Sequence, residues 1–128
     1  MDDLPSQWLA QAKYDLSSAE VMLKARKYLY VAFMCQQSME KILKAIIQKR
    51  KNETPPYTHK LSILIKMIEL EVSEQDLDFL DSLTRYYINC RYPEHKQKLA
   101  KELDKKGSQE LLKRTKECFS WLKKELKI

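Results

Sequence analysis

Apolar residues recur at helical spacing along almost the whole chain, and the pattern predicts about five helices with no linker long enough to separate domains. In the first helix, after Pro5 and Ser6, the residues Trp8, Ala12, Leu16, Ala19 and Leu23 step by threes and fours along one stripe, and it is expected to end near Lys27. The second runs from about Tyr28 to about Lys51. It carries Ala32, Cys35, Met39, Ile42 and Ile46 on one stripe and Phe33, Leu43 and Ile47 on the next. Two adjacent apolar stripes mark it as the central helix. Asn52-Glu53-Thr54-Pro55-Pro56 must break it, because consecutive prolines remove backbone donors and push the preceding residue out of helical geometry. Thr58 is expected to cap a short third helix with Leu61, Leu64, Ile65 and Ile68, stopping around Glu71-Val72.

Ser73, with Asp76 three residues later, opens a fourth helix in which Leu77, Leu80, Thr84 and Tyr87 share a face. Pro93 is expected to stop it at about Arg91. The lysine-rich stretch 94–107 is only weakly amphipathic and reads as a mobile loop or marginal helix bounded by Gly107. Ser108 then caps a last helix with Leu111, Leu112, Thr115, Cys118, Phe119 and Leu122 inward. The expected architecture over 1–128 is a single all-α domain, an antiparallel up-and-down bundle of four to five helices.

Composition narrows the function. One glycine and four prolines in 128 residues cannot supply the turns of a β-barrel or the phosphate loops of dinucleotide and P-loop folds. No apolar run approaches the ~20 residues needed to cross a bilayer, and the start resembles no signal peptide, so a cytoplasmic protein with no membrane partner is expected. Cys35, Cys90 and Cys118 are odd in number and far apart, which fits reduced, buried thiols. With only His59 and His95 besides, neither a metal site nor a cofactor is implied.

Charge is distributed unevenly. The net charge is +6, yet residues 1–95 balance, and all the excess sits in 96–128 with eleven basic and five acidic residues. That surface is either a solvated helix face or one that attracts a polyanion such as RNA, whose neutralised phosphates release counterions.

Chemistry concentrates in Arg85-Tyr86-Tyr87-Ile88-Asn89-Cys90-Arg91-Tyr92-Pro93-Glu94-His95. Arg85, Asn89 and Tyr92 recur at helical spacing, so one face presents cation, amide and phenol together, a set suited to phosphate and base contacts. The simpler alternative pairs Asp81 with Arg85 across one helical turn and leaves the tyrosines as core or interface residues with their hydroxyls reaching water. In the second helix Gln36 and Glu40 fall among the apolar stripes rather than on the outer face with Gln37, Lys41 and Lys44. Glu40 therefore needs a partner, either Lys44 or a guanidinium from Arg85 or Arg91. His59 is expected in the first turn of the third helix with its ring against a neighbour.

Taken in order, Trp8, Ala12, Asp15-Leu16, Ala19; Tyr30, Ala32-Phe33, Gln36-Gln37, Glu40-Lys41, Leu43-Lys44-Ala45; Pro55-Pro56, Thr58-His59, Leu61; and Arg91-Tyr92-Pro93 resemble the HEPN family, the higher eukaryotes and prokaryotes nucleotide-binding domain. The resemblance spans nearly the whole chain. It implies a helical bundle, usually a homodimer, often encoded beside a minimal nucleotidyltransferase as a toxin and antitoxin pair, and in many members a metal-independent ribonuclease. Active members place four to six residues between an arginine and a histidine, whereas Arg91 and His95 have three residues between them and Arg85 and His95 have nine. The resemblance thus implies catalytic roles for Arg91 and His95, and nucleotide or RNA contacts from Arg85, Asn89, Tyr92, Glu40 and His59. Binding, or partnership with a nucleotidyltransferase, is the favoured reading. A ribonuclease toxin is the alternative.

Overall fold

The structure, a computed structural model, describes residues 3–127, in which six helices and no strand are present. α1 (Leu4–Lys24) starts where the Asp3 carboxylate accepts the Ser6 amide at 2.9 Å, with Pro5 in the first turn, where its missing N–H costs nothing. It ends three residues earlier than its pattern suggests. Arg26 turns left-handed (φ 61°), and the Lys27 amide reaches back to the Met22 carbonyl at 2.8 Å, closing the helix end. α2 (Tyr28–Lys51) therefore begins after three residues and lies against α1. Contact is close because small residues meet there: Ala12 and Ala19 are buried, and Ser38 donates to the Ala12 carbonyl at 2.9 Å.

α2 is the central helix, packed on all five others. Apart from the half-buried Phe33, both its apolar stripes are buried, from Val31 and Ala32 through Cys35, Met39, Leu43 and Ile47. It stops at Asn52, which is left-handed at φ 51°, just ahead of the two prolines. α3 (Leu61–Met67) starts later than a Thr58 cap would have it. The Thr58 hydroxyl accepts the Lys60 amide, and Lys60 occupies the cap position without a side-chain hydrogen bond. Instead α3 is anchored by its Leu61 amide, which donates to Thr84 of the next helix at 3.3 Å.

Ser73 caps α4 (Glu74–Asn89) as its sequence indicates, accepting the Asp76 amide at 3.1 Å. The buried face also takes in Phe79 and Leu83, beside Leu80, Thr84 and Tyr87. Pro93 does not merely end a helix; it begins α5 (Pro93–Glu102), because its fixed φ suits a first helical turn. The count of four to five helices is thus corrected to six. α6 (Lys105–Leu126) is capped by Asp104, not Ser108: the carboxylate accepts the Gly107 amide at 2.7 Å, and Ser108 is buried inside the helix. Lys49 donates to the Leu126 carbonyl at 2.7 Å and Arg50 to the Ile68 carbonyl at 2.8 Å, so cations at the end of α2 satisfy the ends of α6 and α3.

Leu99 is the one α5 residue that is buried. A ten-residue helix with so little apolar burial is marginal by itself. In native-state hydrogen exchange we expect its amides to exchange roughly a hundredfold faster than those of central α2. Equal protection would show that α5 opens only with the whole bundle. No helix among the described residues is long and apolar enough to cross a membrane.

Candidate functional site

Two polar arrangements flank α4. Arg85 and Asn89 lie one helical turn apart on one side of it, and opposite them α5 presents His95, Lys98 and Glu102. Together with Tyr86 and Leu99 they line a cleft of about 340 Å³. Two permanent cations, an imidazole and an amide converge on it, against one carboxylate. Such a set holds a phosphate ester while leaving an aromatic wall beside it. Asp81 makes no ion pair with Arg85, whose guanidinium is therefore not consumed by that neighbour.

On the opposite side of α4 a buried network centres on Glu40. Lys44 Nζ stands 3.0 Å from Glu40 Oε2, and His59 Nδ1 stands 2.8 Å from Oε1. Gln36 Nε2 donates to both Oε1 at 3.2 Å and the His59 carbonyl at 2.9 Å. Burial pushes the Glu40 carboxyl upward, but hydrogen bonds from His59, Lys44 and Gln36, with the Lys44 charge, outweigh it and hold the group below its ordinary value. A carboxylate only accepts, so Nδ1 carries the proton and Nε2 faces the Tyr87 hydroxyl at 3.5 Å. Burial likewise pushes the Tyr87 phenol up, against the nearby Arg91 charge.

The site residues named from sequence thus divide. Arg85, Asn89 and His95 share the cleft, but Arg91 does not line it; its guanidinium lies 4.9 Å from the centre of the Tyr87 ring. Tyr92 also stays out of the cleft wall and caps α5, its carbonyl accepting the His95 and Lys96 amides. Glu40 takes Lys44 and His59, not a guanidinium of Arg85 or Arg91. Lys44, assigned by pattern to the outer face, is buried at 6% exposure. His59 precedes α3 rather than sitting in its first turn, with its ring between those of Tyr57 and Tyr87. Lys98 and Glu102 are cleft residues that sequence reasoning missed. The signal was present: read as helix, His95, Lys98, Leu99 and Glu102 fall at i, i+3, i+4 and i+7, one face.

The three cysteines are free, and burial raises Cys35 to about 12 and Cys118 to about 11, which leaves both as unreactive thiols at neutral pH. Among the described residues no group of three histidine, cysteine or carboxylate side chains is placed to hold a metal ion.

The family model for the HEPN domain matches residues 5–126, and the chain belongs to that family. Two solved structures share its fold. TT1696 from Thermus thermophilus is 22% identical, with a TM-score of 0.82 over 97% of this chain and 99% of that one. ST0689, an archaeal HEPN homologue, is also 22% identical, with a TM-score of 0.73 over 98% of this chain and 99% of that one. No curated protein matches the chain.

Proposed function

We propose that this HEPN-family protein binds a nucleotide or RNA in the α4–α5 cleft, as a homodimer working with a nucleotidyltransferase partner. The observation that carries the binding reading is the convergence of Arg85, Lys98, His95 and Asn89 on one cleft. Their charges and donors match phosphate oxygens, and the excess of basic over acidic residues in 96–128 attracts a polyanion to the protein. Homodimer and partner rest on family membership. The ribonuclease reading keeps one supporting observation, that His95 shares the cleft with an arginine, Arg85. An imidazole there is placed to move a proton while the guanidinium stabilises charge on phosphorus-bound oxygens.

Fluorescence anisotropy with a short labelled RNA, and calorimetry with ATP, test the proposal. Arg85→Ala and Lys98→Ala should each weaken binding about tenfold and lower the slope of log affinity against log salt by about one. Unchanged affinity in both variants would remove the cleft from consideration. RNA should be recovered intact; cleavage that vanishes in His95→Ala would move the assignment to ribonuclease.

A further inference from the structure

Tyr87 follows Arg85 by two residues, about 200° round the helix, and so faces away from the cleft. On that side aromatic rings and cations touch in sequence. The Tyr57 ring meets His59 with centroids 5.6 Å apart, His59 meets Tyr87 at 4.8 Å, and Arg91 covers Tyr87. The row continues from Tyr87 to Phe33 at 5.0 Å, then to Tyr30 at 6.4 Å, where Lys96 stands 5.6 Å from the ring centre. It thus runs from the segment before α3, across α4 and α2, to α5.

The inner members are packed. Tyr87 is buried and Phe33 and His59 half-buried, while the outer rings face water: Tyr57 is 93% exposed and Tyr30 44%. A ring as open as Tyr57 contributes almost nothing to the core. Yet its segment is tied down, since Gln36 and Glu40 bind His59 two residues on. An exposed ring on a pinned backbone is organised in advance, so little ordering is lost when something stacks on it. Arg91 and Lys96 are exposed beside the row, and its one contacting carboxylate, Glu40, is buried and paired with Lys44.

We infer that this row is a stacking surface for the bases of a single-stranded nucleic acid, with Arg91 and Lys96 meeting its phosphates. Unpaired bases offer their faces to aromatic side chains whatever their identity, whereas a duplex keeps those faces inside. The inference deepens the nucleic-acid reading above and rests on it for the ligand class, but uses a surface the cleft does not share.

Anisotropy with labelled oligouridylates of increasing length, up to roughly ten nucleotides, tests it. Tyr57→Ala and Tyr30→Ala should each weaken the longer oligonucleotides roughly five- to hundredfold, leave ATP affinity unchanged, and leave duplex RNA unaffected. Tyr57→Trp should retain binding. Wild-type affinity in Tyr57→Ala would overturn the proposal, and so would an equal loss in Tyr57→Phe, which would assign the effect to the hydroxyl. Sedimentation in which Tyr57→Ala splits a dimer and RNA binding is untouched would make the row a protein contact instead. If Arg85→Ala and Lys98→Ala leave binding unchanged while oligouridylate binding still needs Tyr57, the cleft reading falls and the row stands.

Discussion

Glu40→Ala is expected to destabilise the protein by about 3–5 kcal/mol, a large fraction of the roughly 5–15 kcal/mol typical of a domain. The loss comes less from the missing attraction than from what stays behind. Lys44 is 6% exposed and bonded to Glu40, so truncation strands a buried ammonium, and Gln36 and His59 lose an acceptor together. Urea denaturation measures the change as a fall in midpoint. Combining Glu40→Ala with Lys44→Met should recover much of the loss, because no unpaired charge remains. Acid should narrow the gap between wild type and Glu40→Ala. The folded-state carboxyl is held below its ordinary 4.5, so its stabilisation is complete above that value and disappears as pH falls through the lowered folded-state value. A gap that widens in acid would mean that Glu40 is not charged in the folded protein.

Leu43→Ala, one residue before Lys44 on the same helix, is expected to cost about 2–5 kcal/mol by a different route. Leu43 is fully buried in α2, which packs on every other helix, so the cavity opens where few neighbours can move to fill it. Leu43→Met should cost under about 1.5 kcal/mol because it nearly conserves volume. Unlike Glu40→Ala, this loss should persist across the acid range. A loss that tracks pH would point to indirect damage to the Glu40 network.

Those two positions also show how far reading the chain unaided reaches. Leu43 was legible as core, since its stripe repeats by threes and fours and burial follows from periodicity. Glu40 was legible as needing a partner, and Lys44, four residues on, was one of its options. That Lys44 is itself buried was not legible. Its place on the helix looks outward until Trp8 and Tyr57, from elsewhere in the chain, stand about the ammonium at 5.7 and 6.0 Å. The same limit holds at the candidate site. Arg91 and His95 are near neighbours in the chain, yet the helix break at Cys90 and the restart at Pro93 send one toward Tyr87 and the other into the cleft.

Helix content, the central role of α2, the Ser73 cap and the break at Asn52-Pro55-Pro56 follow from the sequence alone, because they rest on hydrogen bonds and apolar spacings within a few residues; the family is legible there too, through the order of its motifs along nearly the whole chain. Tertiary structure alone decided that His59 binds Glu40, that Arg85 faces α5, and that rings from separate segments form one row. Each of those contacts joins different elements of the chain, and their geometry comes from how whole helices pack.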